Sequence, residues 1–374
     1  MDSDHLIVVE PTAVPHPGDS IVEYLEVLGW SQRDLARRSG LTPKTISEIC
    51  NGKAPITPTT ALALEKVLQR PAHFWLNLQR QFDEAEARRE ELRKSADWQA
   101  WAAKFPLQEI RRLIRAAAVK RSDIDMLLSF LGVSSPMSWA SVWDAAQVSY
   151  RQTRKFKTSV EAVSAWVRAT ELVAGELELA DFNEELLRSS IPTLKQYTRE
   201  RVDEIVETVQ KLCASAGVAF VLVPEFRQTG ISGCARWLGE RRALVALSLR
   251  YKTDDQMWFT FFHELGHILL HRKRQSFVLD NPAEDVTDRV VDPQMQQYEE
   301  EANRFARDTL ILPQALSDFI VRGDLRSDAI HDFAERVGVS PGIVVGRLQF
   351  EGVLAPHKGN SLKQRLAWHI PEED

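Results

Sequence analysis

Apolar residues recur at helical spacing through most of this chain, and three apolar stretches within residues 218–249 read as strands. The N-terminal part is the most sharply punctuated. Residues 1–17, with Pro11, Pro15 and Pro17, read as a flexible arm. Asp19 is placed to cap a helix running to Leu28 and ending at Gly29, and Ser31 to cap a second over residues 32–39, closed by Gly40. Thr42-Pro43 opens a third that stops at Asn51-Gly52. Thr57 caps a fourth to Leu68, and Pro71 opens a fifth to about Gln81. The dense charge run from Asp83 to Lys94 reads as a solvated helix leaving this module.

Further helices are expected at 107–119, 122–131, 138–150, 159–174 and 183–190, the last punctuated by Ile191-Pro192, with Trp98, Trp101, Trp139, Trp143 and Trp166 as core. An amphipathic helix over 201–216, stopped by Gly217, leads into three strands at 218–223, 232–238 and 243–249. Asp254-Asp255 then caps a long apolar helix, and another helix runs from Tyr298 to just before Pro313. The expected fold class is α+β, predominantly α. Four parts are expected: the arm 1–17, a helix-turn-helix module 18–82, a helical middle 83–200, and a domain 201–374 with a small β-sheet and a C-terminal helical unit.

Two short helices joined by a tight glycine turn, residues 31–53, form the helix-turn-helix, with Leu35, Ala36, Leu41, Ile46 and Ile49 as its inner seam. The candidate DNA contacts are Thr42, Lys44, Thr45 and Ser47 at the second helix, Asn51 and Lys53 after it, and Gln32 and Arg33 towards phosphates. Glu48 shares the outward face. An acid there favours a cytosine amino group or no base at all, so it is given no reading role. A protein-docking module is the alternative use of such a face. The basic stretch 151–157 is read as a solvated loop or helix end.

Composition narrows the classes. The chain has 374 residues, enough for two or three domains, with 44% hydrophobic and 27% charged content. No apolar run approaches a membrane span, and the acidic start Met1-Asp-Ser-Asp is not expected to be a signal peptide. Cys50, Cys213 and Cys234 are scattered, which suits a reducing cytoplasm and excludes a cysteine-based zinc site. A net charge of -6 argues against broad coating of nucleic acid but leaves room for a small DNA-reading module.

The candidate chemistry lies in His263-Glu264-Leu265-Gly266-His267. Residues four apart share a helix face, so both imidazoles can reach one ion, and Glu264 can act as general base on a water there. Trp258, Phe261, Phe262, Leu265, Ile268 and Leu269 leave the helix no polar stripe, so it is expected to be buried. Polar groups inside such a helix need partners, and a metal supplies one. A catalytic zinc takes three protein ligands and keeps one open position. Glu299 is the candidate third, because it shares the inward face of its helix with Ala302, Phe305, Ala306 and Thr309 while Glu300 and Glu301 turn away. His271 lies one turn past His267 and is expected behind the ligands, in the core or at the surface.

Two resemblances follow from these residues. Residues 17–83 resemble the Xre/HigA-like helix-turn-helix family of antitoxin type, which implies homodimeric binding to operator DNA, usually at the protein's own promoter. Residues 247–255, the stretch from Trp258 to His271 and the Glu299-x-x-Ala-Asn-x-Phe-Ala pattern resemble the ImmA/IrrE family of zinc metallo-endopeptidases. That resemblance implies His263, His267 and Glu299 as zinc ligands, Glu264 as catalytic acid/base, and a protein substrate such as an Xre-type repressor or a cognate toxin or regulator. It also implies that residues 327–354 form a small helix-turn-helix-like unit, expected to pack on the peptidase rather than on DNA. The expected function is a cytoplasmic regulator with an endopeptidase domain. The alternative is an antitoxin-type repressor whose zinc is structural or sensory.

Overall fold

The computed structural model describes residues 14–114, 122–150, 159–271, 278–280 and 293–367. The chain forms two compact units, divided after Gln99.

The first unit holds α1 (Pro17–Leu28), α2 (Gln32–Ser39), α3 (Pro43–Cys50), α4 (Pro58–Leu68) and α5 (Ala72–Ala96) around a core that includes Ile21, Leu35, Ile46, Ile49, Leu64 and Trp75. Ser31, Thr42 and Thr57 each accept the backbone N–H three residues on, as the sequence predicts. Two expectations are corrected. Helix α1 starts three residues earlier than Asp19 as a cap would place it, because Pro17 presets the helical φ and needs no N–H partner. His16 is the N-cap, its Nδ1 accepting from the Gly18 N–H at 2.9 Å, while Asp19 accepts from the His16 N–H at 3.1 Å. The charged stretch is not a separate helix: α5 runs unbroken for 25 residues, with pairs such as Arg88–Glu84 at 2.8 Å along its exposed face.

A single turn, α6 (Gln99–Ala102), precedes the helices of the second unit: α7 (Leu107–Ile114), α8 (Asp123–Leu131), α9 (Pro136–Tyr150), α10 (Val160–Gly175), α11 (Glu184–Gln196) and α12 (Val202–Ser215). Helices α7 to α11 lie in the second unit together with residues 201–374. Helix α11 passes through Pro192 rather than ending before it. Proline frees the carbonyl four residues back, and Pro192 lies on the exposed side, where water can satisfy that group.

The sheet has strand order β1-β3-β2-β4, formed by β1 (Val218–Leu222), β2 (Gly233–Trp237), β3 (Ala243–Leu247) and β4 (Val278–Asp280). Strands β1 and β3 are parallel, and β2 is antiparallel to both β3 and β4. Strand β4 pairs with β2 (Gly233 opposite Asp280), so β2 is an inner strand. On one face Val218, Phe220, Val245 and Leu247 join a core with α12 and α13 (Asp254–Leu270). The alternate residues face the other way, where α10 packs on β1 and β3.

Trp166 of α10 is fully buried, and its indole N–H donates to the Val223 carbonyl at 3.2 Å. Trp166→Phe leaves that carbonyl without this donor and is expected to cost about 1–2 kcal/mol, read as a melting point lower by roughly 2–4 °C. An unshifted melting curve would assign the bond no stabilising role.

The rest of the second unit is α14 (Pro293–Leu310), α15 (Pro313–Arg322), α16 (Ser327–Val337) and α17 (Pro341–Phe350). Helices α16 and α17 make the expected helix-turn-helix-like pair, but α17 is buried through Ile343, Val344, Val345 and Leu348. It lies on the start of α13: a Cβ at Gly342 would stand 2.5 Å from an Asp254 oxygen, and one at Gly346 2.5 Å from Asp255 Oδ2. These aspartates are buried residues of the first helical turn rather than caps; Thr253 holds the N-cap position. Ser340 Oγ donates to Asp254 at 2.7 Å, the Gln364 N–H does so at 2.9 Å, and Lys363 pairs with Asp255 at 2.7 Å. Burial raises the Asp254 carboxyl above its ordinary value.

Candidate metal centre

The histidine helix α13 is buried almost throughout, with Trp258, Phe261, Phe262, Leu265, His263 and Glu264 at 0% exposure. His263 and His267 sit one turn apart on the same face, and their Nε2 atoms approach to 2.9 Å. Helix α14 brings Glu299 opposite them: its Oε2 lies 3.4 Å from His263 Nε2 and its Oε1 3.6 Å from His267 Nε2. The three ligand atoms lie within 4.8 Å of one another. The helices can come this close because the contact is built from small residues. Ala302 and Ala306 are fully buried, and a Cβ at Gly266 would stand 3.0 Å from the Phe305 ring and 3.4 Å from the Ala302 Cα.

The outward nitrogens of both histidines are engaged elsewhere. His263 Nδ1 lies 3.0 Å from Asn303 Oδ1, and His267 Nδ1 lies 3.1 Å from His271 Nδ1. With Nδ1 donating, each Nε2 turns a lone pair inward. Burial pushes the His267 ring down to about 4, so it is neutral and fit to be a ligand at neutral pH. Burial acts to raise the Glu299 carboxyl, but the His263 and His267 rings facing it outweigh that and hold it below the usual carboxylate range. Two imidazoles and one carboxylate converging on a point are a donor set that suits a divalent metal.

Glu264 is one residue along the helix from His263 and points towards the start of β2. A Cβ on Gly233 would lie 2.7 Å from Glu264 Oε1 and 2.6 Å from Thr260 Cγ2. Gly233 therefore makes the space that the Glu264 carboxyl occupies. Nothing in the local sequence around Gly233 signals this, nor the Asn303 and His271 contacts, because each depends on packing between distant segments.

The candidate DNA contacts gather on the first unit. Arg33, Lys44, Asn51 and Lys53 are exposed, while Gln32, Thr45 and Ser47 are half-buried. Thr42 is exposed, but its hydroxyl caps α3 by accepting the Thr45 N–H at 3.0 Å. Asn51 donates to the Ser47 carbonyl at 2.7 Å. The Lys44 ammonium lies 3.8 Å from Glu48.

Residues 21–75 match the family model described as helix-turn-helix. Over 73 residues the chain is 42% identical to the "uncharacterized HTH-type transcriptional regulator YddM" of Escherichia coli K12, spanning 78% of that protein and 20% of this chain. The chain belongs to the helix-turn-helix regulator family. Its C-terminal part, residues 235–349, matches the peptidase-family model described as the IrrE N-terminal-like domain, and this stretch contains His263, Glu264, His267 and Glu299. The helix-turn-helix part is also 40% identical over 67 residues to virulence-associated protein A of Dichelobacter nodosus, covering 66% of that protein and 17% of this chain. Among solved structures, an addiction module antidote protein of the HigA family from Coxiella burnetii is 32% identical, with 23% of this chain and 95% of that chain covered and a TM-score of 0.22. The stretch between the two family matches, residues 76–234, lies outside both. Among the described residues no helix is long and apolar enough to cross a membrane.

Proposed function

We propose that this chain is a DNA-binding transcriptional regulator carrying a zinc-dependent endopeptidase domain, which acts on a repressor, toxin or other regulator protein in stress-response, mobile-element or toxin–antitoxin control. The observation that carries the reading is the convergence of His263 Nε2, His267 Nε2 and Glu299 beside the buried Glu264. His263, His267 and Glu299 would hold the zinc, which would supply Lewis acidity to activate a water for attack. Glu264 takes the proton of the attacking water and passes it to the leaving amide nitrogen. The buried walls of α13 and β2 exclude bulk water around that carboxyl. The cytoplasm suits the three buried free thiols, Cys50, Cys213 and Cys234.

The test is to measure the metal content of the purified protein and incubate it with the products of neighbouring genes, with and without a chelator. One zinc per chain and chelator-sensitive cleavage of one product are expected. Absence of any cleaved product favours a second reading, in which the metal is structural or sensory. The pairing of β4 on β2 lends that reading its support, because it fills the edge of β2 where an extended peptide would add.

The helix-turn-helix is proposed to bind the protein's own promoter as a homodimer, with Gln32, Arg33, Lys44 and Lys53 on phosphates and Thr42, Thr45, Ser47 and Asn51 around the groove. Lys44→Ala is expected to weaken binding evenly across sequences and to lower the salt slope by about 1. A gel-shift series with an unchanged slope would move the phosphate contact off this helix.

A further inference from the structure

The His267 side chain continues into a chain of partners on the side away from the candidate ligand atoms. His271 Nδ1 lies 3.1 Å from His267 Nδ1, His271 Nε2 lies 2.9 Å from Glu301 Oε2, and Gln297 Nε2 donates to Glu301 Oε1 at 2.7 Å. The His271 ring is 9% exposed and sits against the Tyr298 ring, with centroids 4.4 Å apart. Its backbone is held too, since its N–H donates to the His267 carbonyl at 3.0 Å.

For a neutral His271 ring the polarity of this chain has one solution. An ionised carboxylate can only accept, so His271 Nε2 must carry the proton given to Glu301. In a neutral imidazole the other nitrogen is then an acceptor, so His271 Nδ1 receives the His267 Nδ1–H. His267 is left with a bare Nε2, the atom that faces His263 and Glu299. The same arrangement shows that His271 is not itself a ligand, because its Nδ1 is spent on the far edge of His267.

We propose that His271, backed by Glu301, is a positioning residue that fixes the tautomer and ring orientation of His267 and so sets how tightly the centre holds its metal. This rests on the metal-centre reading above. Asn303 does for His263 with one amide what His271 and Glu301 do for His267 through two links. Partners of this kind typically change metal affinity by about 10- to 100-fold when removed.

The experiment measures zinc affinity of the full chain by competition with a chromophoric chelator, together with the visible spectrum of the cobalt-substituted protein. His271→Leu keeps the bulk and removes the acceptor; affinity is expected to fall about 10- to 100-fold, with a changed cobalt spectrum. His271→Asn puts an amide oxygen near the Nδ1 position and is expected to recover most of that loss. Glu301→Gln, on an exposed edge where folding is not at risk, is expected to weaken binding to a smaller extent. Wild-type affinity and an unchanged spectrum in His271→Leu and Glu301→Gln overturn the proposal, as does a His271→Asn protein no better than His271→Leu. A wild-type protein that takes up no zinc overturns the metal reading itself, which the variants do not address.

Discussion

Glu264→Gln gives a protein that folds, holds its metal and binds DNA, but cleaves its protein substrate about 10²- to 10⁴-fold more slowly, the range that a lost general acid–base group sets. Three features lead to this expectation. Glutamine has the volume and hydrogen-bonding reach of glutamate, so the tight space against Gly233 and Thr260 stays filled without strain. Glu264 is not part of the converging set of His263, His267 and Glu299, so the ligand atoms are left in place. The helix-turn-helix belongs to the other compact unit, so promoter binding should be untouched. What changes is that an amide cannot take a proton from water. Cleavage of the candidate substrate is compared at matched zinc content, measured by elemental analysis. Equal rates for wild type and variant would falsify the endopeptidase reading and leave a metal-holding regulator in its place.

The parts of this molecule that were legible in the sequence are those whose causes are local. The caps at Ser31, Thr42 and Thr57 depend on a side chain and a backbone N–H three residues apart, so the short helices of the first unit could be read with their boundaries. The four-residue spacing of His263 and His267 fixes their common face by helix geometry alone. Reaching Glu299 took one further step, that the face carrying Ala302 and Ala306 must turn inwards, and the structure does bring its carboxylate to both histidines. The illegible parts depend on packing across long sequence distances. Nothing near Val278–Asp280 announces a strand, because three residues gain their pairing only from β2, some forty residues earlier in the chain. Gly233 reads only as an early residue of the strand expected at 232–238 until α13 places Glu264 against it. Pro192 reads as a helix stop because local chemistry favours that, whereas the packing of α11, with Leu187 and Leu194 in the same core, carries the helix through.

Glu299→Ala is expected to produce the other large effect, on metal affinity and through it on stability. A catalytic-type zinc set has three protein ligands, and removing one leaves only the two histidines of α13. Partners that touch a ligand without being one change affinity by about 10- to 100-fold, so deleting a ligand should weaken zinc by at least about 100-fold. The consequence for stability follows from mass action. At a free zinc concentration of about 1,000 times the wild-type Kd, binding stabilises the folded chain by about 4 kcal/mol; a 100-fold weaker site retains about 1.4 kcal/mol, a loss of roughly 2.7 kcal/mol. For a unit of this size that is several degrees of melting temperature. The quantity to compare is the rise in melting temperature on adding zinc, not the melting temperature itself, because the substitution also removes a half-buried carboxylate that faces His263 and His267. Wild type should show a clear zinc-dependent rise and Glu299→Ala a much smaller one. Because α13 and α14 supply the two halves of the site, an undiminished rise in the variant means that the bridging ligand comes from elsewhere. The neighbouring Glu300 and Glu301 are then the first to replace, since each is one or two residues from the same helix face.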